Sequence, residues 1–306
     1  MSGLSSSVMH GEPKVTVLLA VNNGERFIAE AITSVIEQNY VNFELIVVSN
    51  GSTDGTVAIC RSFEQKDPRV RVFELPHRNK NAAYNFAFAK STGDFVCFFA
   101  ADDRLAPESL SERVGILLGE GPQAYSTCCL QTFAEEAKYD GIVFPRNRTR
   151  PNHSGGSLMF SRALAERIFP LPVEQPNEDT WASLHLRAFG RNRHIARPLY
   201  LYRIHGGNSY GYGMPFSEKR SQYLRRMHAY QLFYDKYHDA ALPFLRTDIL
   251  PFLEGLRAAT EGSIARIMRV KDLRVGSKLI LALYSSPTMY RIRNAYFRTL
   301  SGGIAR

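Results

Sequence analysis

Between Lys14 and Phe99, four short apolar runs alternate with three helix-patterned segments, and no other feature of the chain restricts its fold so far. The runs are Lys14–Ala20, Phe43–Val48, Val70–Glu74 and a stretch ending at Phe99. Between them, Glu25–Glu37, Thr53–Gln65 and Asn81–Ser91 carry the spacing of amphipathic helices. Asp54 suits the N-terminus of the second helix, and Gly93 ends the third. Strands that read as continuous apolar runs are those buried on both faces, as in parallel sheets covered by helices. The β-α-β-α-β-α-β order therefore predicts an α/β fold with a mainly parallel sheet and right-handed crossovers.

The fourth run, Asp94 to Ala101, stops abruptly at Asp102-Asp103. Ligands of open α/β sheets sit beyond the carboxyl ends of the strands, so this acid pair is placed at a candidate site. Mg²⁺ and Mn²⁺ are commonly held by one or two carboxylates together with substrate phosphates. The pair also suits the start of the helix predicted over Pro107–Gly119, and both readings are open at this point.

Past that helix the pattern loosens. It predicts a strand over Ala124–Thr132, a polar insert through Arg150, and Gly155-Gly156 leading into a strand over Ser157–Phe160. A helix over Asp179–Phe189 and strands at His194–Ala196 and Leu199–Ile204 follow. From Phe216 the chain reads as helices with breaks near Pro243, Gly276 and Pro287.

Composition limits the function classes. With 306 residues, 44% hydrophobic and 22% charged, the chain fits a soluble globular protein of one large domain or of one domain with an appendage. No run approaches the roughly 18–20 apolar residues of a membrane span. Residues 1–13 are polar, predict a flexible N-terminus and lack the apolar centre of a secretory signal, so a cytoplasmic location is expected. Cys60, Cys97, Cys128 and Cys129 show no Cys-x-x-Cys spacing and read as reduced, buried thiols rather than disulfides or zinc ligands.

The net charge of +9 is confined to one region. Residues 215–306 hold 16 Lys+Arg and 7 Asp+Glu, whereas residues 1–214 hold 22 of each. A basic helical tail points to an anionic surface, or else is an ordinary solvated face. Nucleic acid fits poorly, because no zinc, helix-turn-helix or aromatic-strand signature accompanies the charge. Leu279–Leu283 with Tyr290, Arg291, Arg293, Tyr296, Phe297 and Arg298 mixes apolar, aromatic and basic residues as interfacial helices do. An anionic membrane surface is thus a candidate partner of residues 271–306, which would place the protein peripherally on the inner face.

Four motifs in order now carry a resemblance. They are Val17-Leu18-Leu19-Ala20-Val21-Asn22-Asn23-Gly24-Glu25; Glu44 through Val48 followed by Ser49-Asn50-Gly51-Ser52-Thr53-Asp54-Gly55-Thr56; Gly93 to Asp103; and Asn177-Glu178-Asp179-Thr180-Trp181 with the downstream Tyr202-Arg203-Ile204-His205-Gly206-Gly207-Asn208-Ser209. From about Val15 to Ser209 the sequence resembles the inverting family 2 glycosyltransferases. The resemblance implies a GT-A fold over residues 14–214, with a nucleotide-binding half at 14–103, an acceptor half at 104–214, and a basic helical region at 215–306. It implies transfer of a sugar from a nucleotide-sugar donor to a glycan or lipid-linked acceptor, as in cell-envelope polysaccharide biosynthesis.

The resemblance also assigns roles. Asp102 matches the last acid of the family's Asp-x-Asp motif, which holds Mn²⁺ or Mg²⁺ on the donor diphosphate; the first acid's position is Ala100. His205 matches a histidine that completes the metal site in some members. Asp179 matches the catalytic base, with Glu178 beside it; acids at a helix start also favour the macrodipole in any protein. Ala20, Asn22, Glu25, Ser49, Arg78, Ala101, Asp102 and Gly156 match donor-binding positions, Ser49 standing where a uracil-contacting Asp is usual. Gly155 and Trp181 match acceptor-binding positions. Two other classes are weighed. A nucleotidyltransferase would want a Gly-rich basic loop after the first strand, and Asn22-Asn23-Gly24-Glu25 is not one. A non-catalytic sugar-nucleotide binder would explain Ser49 and Ala100 but not the retained Glu178-Asp179.

Overall fold

The computed structural model describes residues 11–205 and 215–300, with side chains at 293 and 296–300 left out of the description. It divides into two compact units. The first takes residues up to 131, 143–170 and 190–202; the second takes 132–142, 171–189 and 203 onward.

The first unit is built on the predicted alternation. Strand β1 (Val15–Val21), helix α1 (Ile28–Ile36), β2 (Phe43–Asn50), α2 (Thr56–Glu64), β3 (Val70–Leu75), α3 (Lys80–Ala89) and β4 (Phe95–Ala100) follow in turn. Then come β5 (Arg104–Leu105), α4 (Ser109–Gly115), β6 (Ala124–Ala134), β7 (Val143–Phe144), β8 (Leu158–Ser161), α5 (Arg162–Ile168) and, after α6 (Glu178–Phe189), β9 (Arg191–Ile204). The sheet runs β3-β2-β1-β4-β8-β6-β9-β5, with β7 on β6. Its first four strands are parallel and β8 is antiparallel to both β4 and β6.

Burial explains the continuous apolar runs. Val17, Leu19, Leu45, Val47, Cys97 and Phe99 face one side with Ile28, Ile32, Leu110 and Val114 in one core cluster. On the other side Phe98 meets Tyr84 at 5.0 Å, Phe160 at 5.6 Å and Phe169 at 6.0 Å between ring centroids. A fully buried side chain of this size contributes about 2–3 kcal/mol relative to exposure. All four cysteines are buried thiols, three of them on these strands.

Several boundaries differ from the sequence reading. α1 starts at Ile28 and α2 at Thr56, each three residues late, because the residues before them form interlocking turns. α4 ends at Gly115, and the chain to Gly119 is a turn. The two strands predicted around Pro198 are one strand; β5 pairs only with Tyr200 and Leu201, so Pro198 occupies a stretch that β5 does not reach. α5, capped by the Ser161 hydroxyl accepting from the Leu164 amide at 3.2 Å, has no counterpart in the reading. The polar insert holds β7.

The second unit is helical. α6 lies against α7 (Phe216–Tyr237), with His185 4.4 Å from Trp181 and 4.9 Å from Phe233. A π-turn (Leu245–Ile249) leads into α8 (Leu250–Thr260), α9 (Ile264–Arg269), α10 (Val275–Leu283) and α11 (Pro287–Leu300). Gly276 lies inside α10 rather than at a break; the chain turns at Val270–Arg274 instead. Gly255 lets α8 approach closely, since an added methyl there would meet Leu273 at 2.6 Å and Leu281 at 2.8 Å. Residues 1–10, including most of the expected flexible terminus, lie outside the described residues, as do Gly206–Ser209 of the fourth motif.

Candidate active site

The strand order reverses at β1 and β4, where Ala20 pairs in register with Ala100. Such switch points open a crevice beyond the carboxyl ends of the strands. The first two motifs build its wall by exchanging hydrogen bonds. The Asn22 amide donates to the Asn50 and Gly51 carbonyls at 2.9 and 3.0 Å, and the Asn50 amide returns to the Val21 carbonyl at 2.9 Å. The Thr53 amide donates to Asn23 at 2.8 Å, and the Gly24 amide to the Thr56 hydroxyl at 2.8 Å. Glu25 accepts from the Gly55 amide at 2.9 Å while its own amide donates to Asp54 at 3.1 Å. Asn23 and Gly51 take positive φ, 51° and 75°, which allows both turns to fold this tightly. Ser49 is buried and donates to Ser52 at 2.9 Å. Arg78 is exposed, in the loop whose backbone passes over Gly51.

The turn after β4 separates the two acids. Asp103 is buried and accepts from the Tyr200 hydroxyl at 2.7 Å; that hydroxyl also accepts from the Ala100 amide at 3.3 Å. Burial first, then the Asp103 charge, push the Tyr200 pKa well above its ordinary value, so the phenol stays protonated and donating. Gly156, in the turn Gly155–Ser157 before β8, lies against the Tyr200 ring, and any methyl added there would fall within the ring. Gly155 is buried beside it. Tyr200 thus clamps the turn that carries half-buried Ala101 and Asp102. The sequence reading placed Asp103 at the site as one of an acid pair but missed Tyr200, 97 residues away, whose hydroxyl commits that carboxylate to the clamp.

In the second unit Asp179 accepts from Arg226 at 2.6 Å, and the same guanidinium donates to the Thr180 hydroxyl at 2.8 Å. The Thr180 hydroxyl donates to the other Asp179 oxygen at 3.3 Å. Arg226, on α7, was legible only as part of the charge run. Glu178 is buried at the start of α6. Trp181 is also buried, between α6 and α7 with Lys236 5.2 Å from its ring, so it bears on a site through helix packing and not by presenting its face. His205 is half-buried at the end of β9.

Among the described residues no three His, Cys, Asp or Glu side chains gather as a ligand set. Asp103 is committed to Tyr200 and Ala100 offers no carboxylate, so the first unit fits a cation held by Asp102 and shared with a phosphorylated ligand, not an all-protein cage.

Comparison with known proteins supplies the family. The chain is 33% identical over 107 residues to an uncharacterized glycosyltransferase of Haemophilus influenzae, spanning 35% of this chain and 43% of that protein. To the uncharacterized glycosyltransferase alr2836 of Nostoc it is 23% identical over 214 residues, spanning 64% and 66%. It therefore spans less than two thirds of the length of these relatives. In fold it is similar to Staphylococcus aureus TarS (residues 1–349) crystallised with UDP-GlcNAc, with a TM-score of 0.60 and 17% identity over 96% of this chain and 93% of that one. It is likewise similar to the mannosyltransferase PcManGT of Pyrobaculum calidifontis in complex with GDP-Man and Mn²⁺, with a TM-score of 0.60 and 22% identity over 95% and 85%. The mixed, mainly parallel sheet with flanking helices is the GT-A fold these glycosyltransferases share. The model for glycosyl transferase family 2 matches residues 16–169, half of the chain, and the chain belongs to that family.

Proposed function

We propose that the protein moves a sugar from a nucleotide-sugar donor to a hydroxyl of a glycan or lipid-linked acceptor in one displacement that inverts the anomeric centre. The observation that carries this reading is the clamped turn at the strand-order reversal, which fixes Asp102 where an open α/β sheet takes its ligand. Both solved relatives described above hold nucleotide sugars, one a uridine and one a guanosine donor, which supports the donor class without choosing the base. Ser49, bonded to Ser52, leaves that choice to the loop around Arg78.

In this reading Ala20 and Ala100 keep the crevice floor small, and the Asn22 and Glu25 turns shape its rim around the nucleoside. Asp102 would hold Mn²⁺ or Mg²⁺ on the diphosphate, and the ion would supply positive charge against the leaving diphosphate. Asp179 takes the acceptor proton as its oxygen bonds to the anomeric carbon, which demands a carboxylate held within hydrogen-bond reach. Arg226 and Thr180 fix that carboxylate's rotamer, and buried Glu178 and Trp181 fix α6 beneath it. Gly156 leaves room for the Tyr200 ring, and so for the clamp on the Asp102 turn.

Incubation with nucleotide sugars and a polyisoprenyl-linked or oligosaccharide acceptor, with the product's anomeric configuration read by NMR, tests the proposal. An inverted product is expected. A retained one excludes a single displacement, and tight donor binding without transfer would favour the non-catalytic reading that Ala100 and Ser49 invite.

A further inference from the structure

Half of the exposed large apolar side chains among the described residues fall in one short stretch of the second unit. They are Ile264 and Met268 on α9 and Val275, Leu279 and Ile280 on α10. Each helix spaces a pair four residues apart, so Ile264 and Met268 share one face, and Val275 and Leu279 share another. The Lys278 ammonium donates to the Met268 carbonyl at 2.8 Å and holds the two helices side by side there. Ile267, Leu273 and Leu281, from the same stretch, are buried in the unit's core, so the core is already supplied. Val275 remains 71% exposed, Leu279 55% and Met268 50%, far beyond what packing leaves by accident on neighbouring turns.

Charge surrounds this patch. Residues 261–280 carry Arg266, Arg269, Lys271, Arg274 and Lys278 against only Glu261 and Asp272. Arg266 is paired with Glu261 and Arg274 with Asp248, whereas Arg269 stands exposed at the end of α9 and Lys271 in the turn that follows. Among the described residues no helix is long and apolar enough to cross a membrane. An apolar ridge with a basic fringe instead suits a surface apolar within and anionic at its rim. A second copy of this chain is disfavoured as the occupant, because a two-fold contact would set each basic fringe against itself.

We propose that the α9–α10 corner docks on an anionic lipid bilayer, with Met268, Val275 and Leu279 entering the headgroup boundary and Arg269 and Lys271 facing lipid phosphates. This confines the contact to the start of the segment expected from sequence, residues 271–306, and extends it back to Met268 and Arg269 on α9. Leu281 is buried, and so is Tyr290, 5.5 Å from Phe216, while the side chains of Tyr296, Phe297 and Arg298 lie outside the described residues. The inference does not depend on the chemistry proposed above.

The test is co-sedimentation of the full chain with vesicles of phosphatidylcholine alone and of phosphatidylcholine mixed with phosphatidylglycerol, at low and high salt. Binding is expected only to the anionic vesicles, weakening as salt rises. Arg269→Glu with Lys271→Glu should reduce partitioning at least about tenfold, given what each basic residue near an anionic surface contributes. Val275→Ser with Leu279→Gln should reduce it by a similar factor while circular dichroism stays unchanged. All four positions are solvent-exposed, and the charge pair leaves the apolar face untouched if the other variant folds poorly. Absence of binding to anionic vesicles, or binding that neither variant weakens, overturns the proposal. So does sedimentation velocity showing a dimer that Leu279→Gln dissociates while vesicle binding persists.

Discussion

Asp179 and Asp102 are both carboxylates at the ends of elements, yet their surroundings differ. Asp179 is held by Arg226 and Thr180, so its oxygens are fixed in orientation, as the proposed role of base requires. Asp179→Asn should preserve the fold and donor affinity while cutting turnover about 10²- to 10⁴-fold, the usual worth of a positioned general base. Arg226→Met should lower kcat with little change in donor KM and shift the pH–rate profile, with partial rescue in Arg226→Lys; an unchanged profile would make Arg226 a structural residue only. Around Asp102 the sensitive partner is Tyr200. Tyr200→Phe strips the donor from buried Asp103 and the acceptor from the Ala100 amide. It should cost about 1–3 kcal/mol in urea unfolding and weaken Mn²⁺-dependent nucleotide binding, although Tyr200 is not assigned to either ligand.

At the scale of elements, the strands and helices up to Phe99 were legible because burial on both faces forces apolar runs and the helices between them keep one apolar stripe. Asp102 was legible for the same reason, as the first polar residue after such a run. What escaped were two features fixed by partners remote in sequence, the Tyr200 clamp and the Arg226–Asp179 pair 47 residues apart, and also a short α5 whose local cap looks like any serine. A third feature with partners remote in sequence lies at the opposite ends of the strands. Glu44 is buried on β2 and accepts from the Thr16 hydroxyl at 2.7 Å and the Thr92 amide at 2.6 Å, while Gly93 donates to Thr16 at 3.0 Å. Burial opposes the Glu44 charge, but the Thr92 amide, the Thr16 hydroxyl and Lys14 outweigh it and hold its pKa below the ordinary value. A carboxyl lowered in the folded state contributes stability above its unfolded pKa of about 4.3, and that contribution is lost as pH falls through the folded value. Glu44→Gln should therefore cost about 1–3 kcal/mol at pH near 7 and progressively less below about pH 4, read from urea midpoints; an equal loss at both ends would show that packing, not charge, is responsible.

Over the whole molecule the charge is divided, with residues 1–214 balanced and the excess of +9 beyond them. A diphosphate drawn only by that positive field would bind weakly, lose affinity steeply with salt and need no particular cation. A diphosphate bound through Asp102 behaves otherwise, because a carboxylate beside phosphates is repulsive until a divalent ion lies between them. The two accounts part in a thermal-shift experiment on the full chain with UDP and with GDP, each with Mn²⁺ and with a chelator. A ligand that binds only the folded state at about 100 times its Kd adds about 2.7 kcal/mol. For a chain of this size that is a Tm rise of about 5 °C. The rise is expected with Mn²⁺, should be greater for one base than the other, and should vanish with chelator. Asp102→Ala should behave in Mn²⁺ as the wild type does in chelator. Equal shifts with and without Mn²⁺, fading together as salt is raised and unaltered in Asp102→Ala, would mean that the basic region and not the strand-end crevice is what holds the nucleotide.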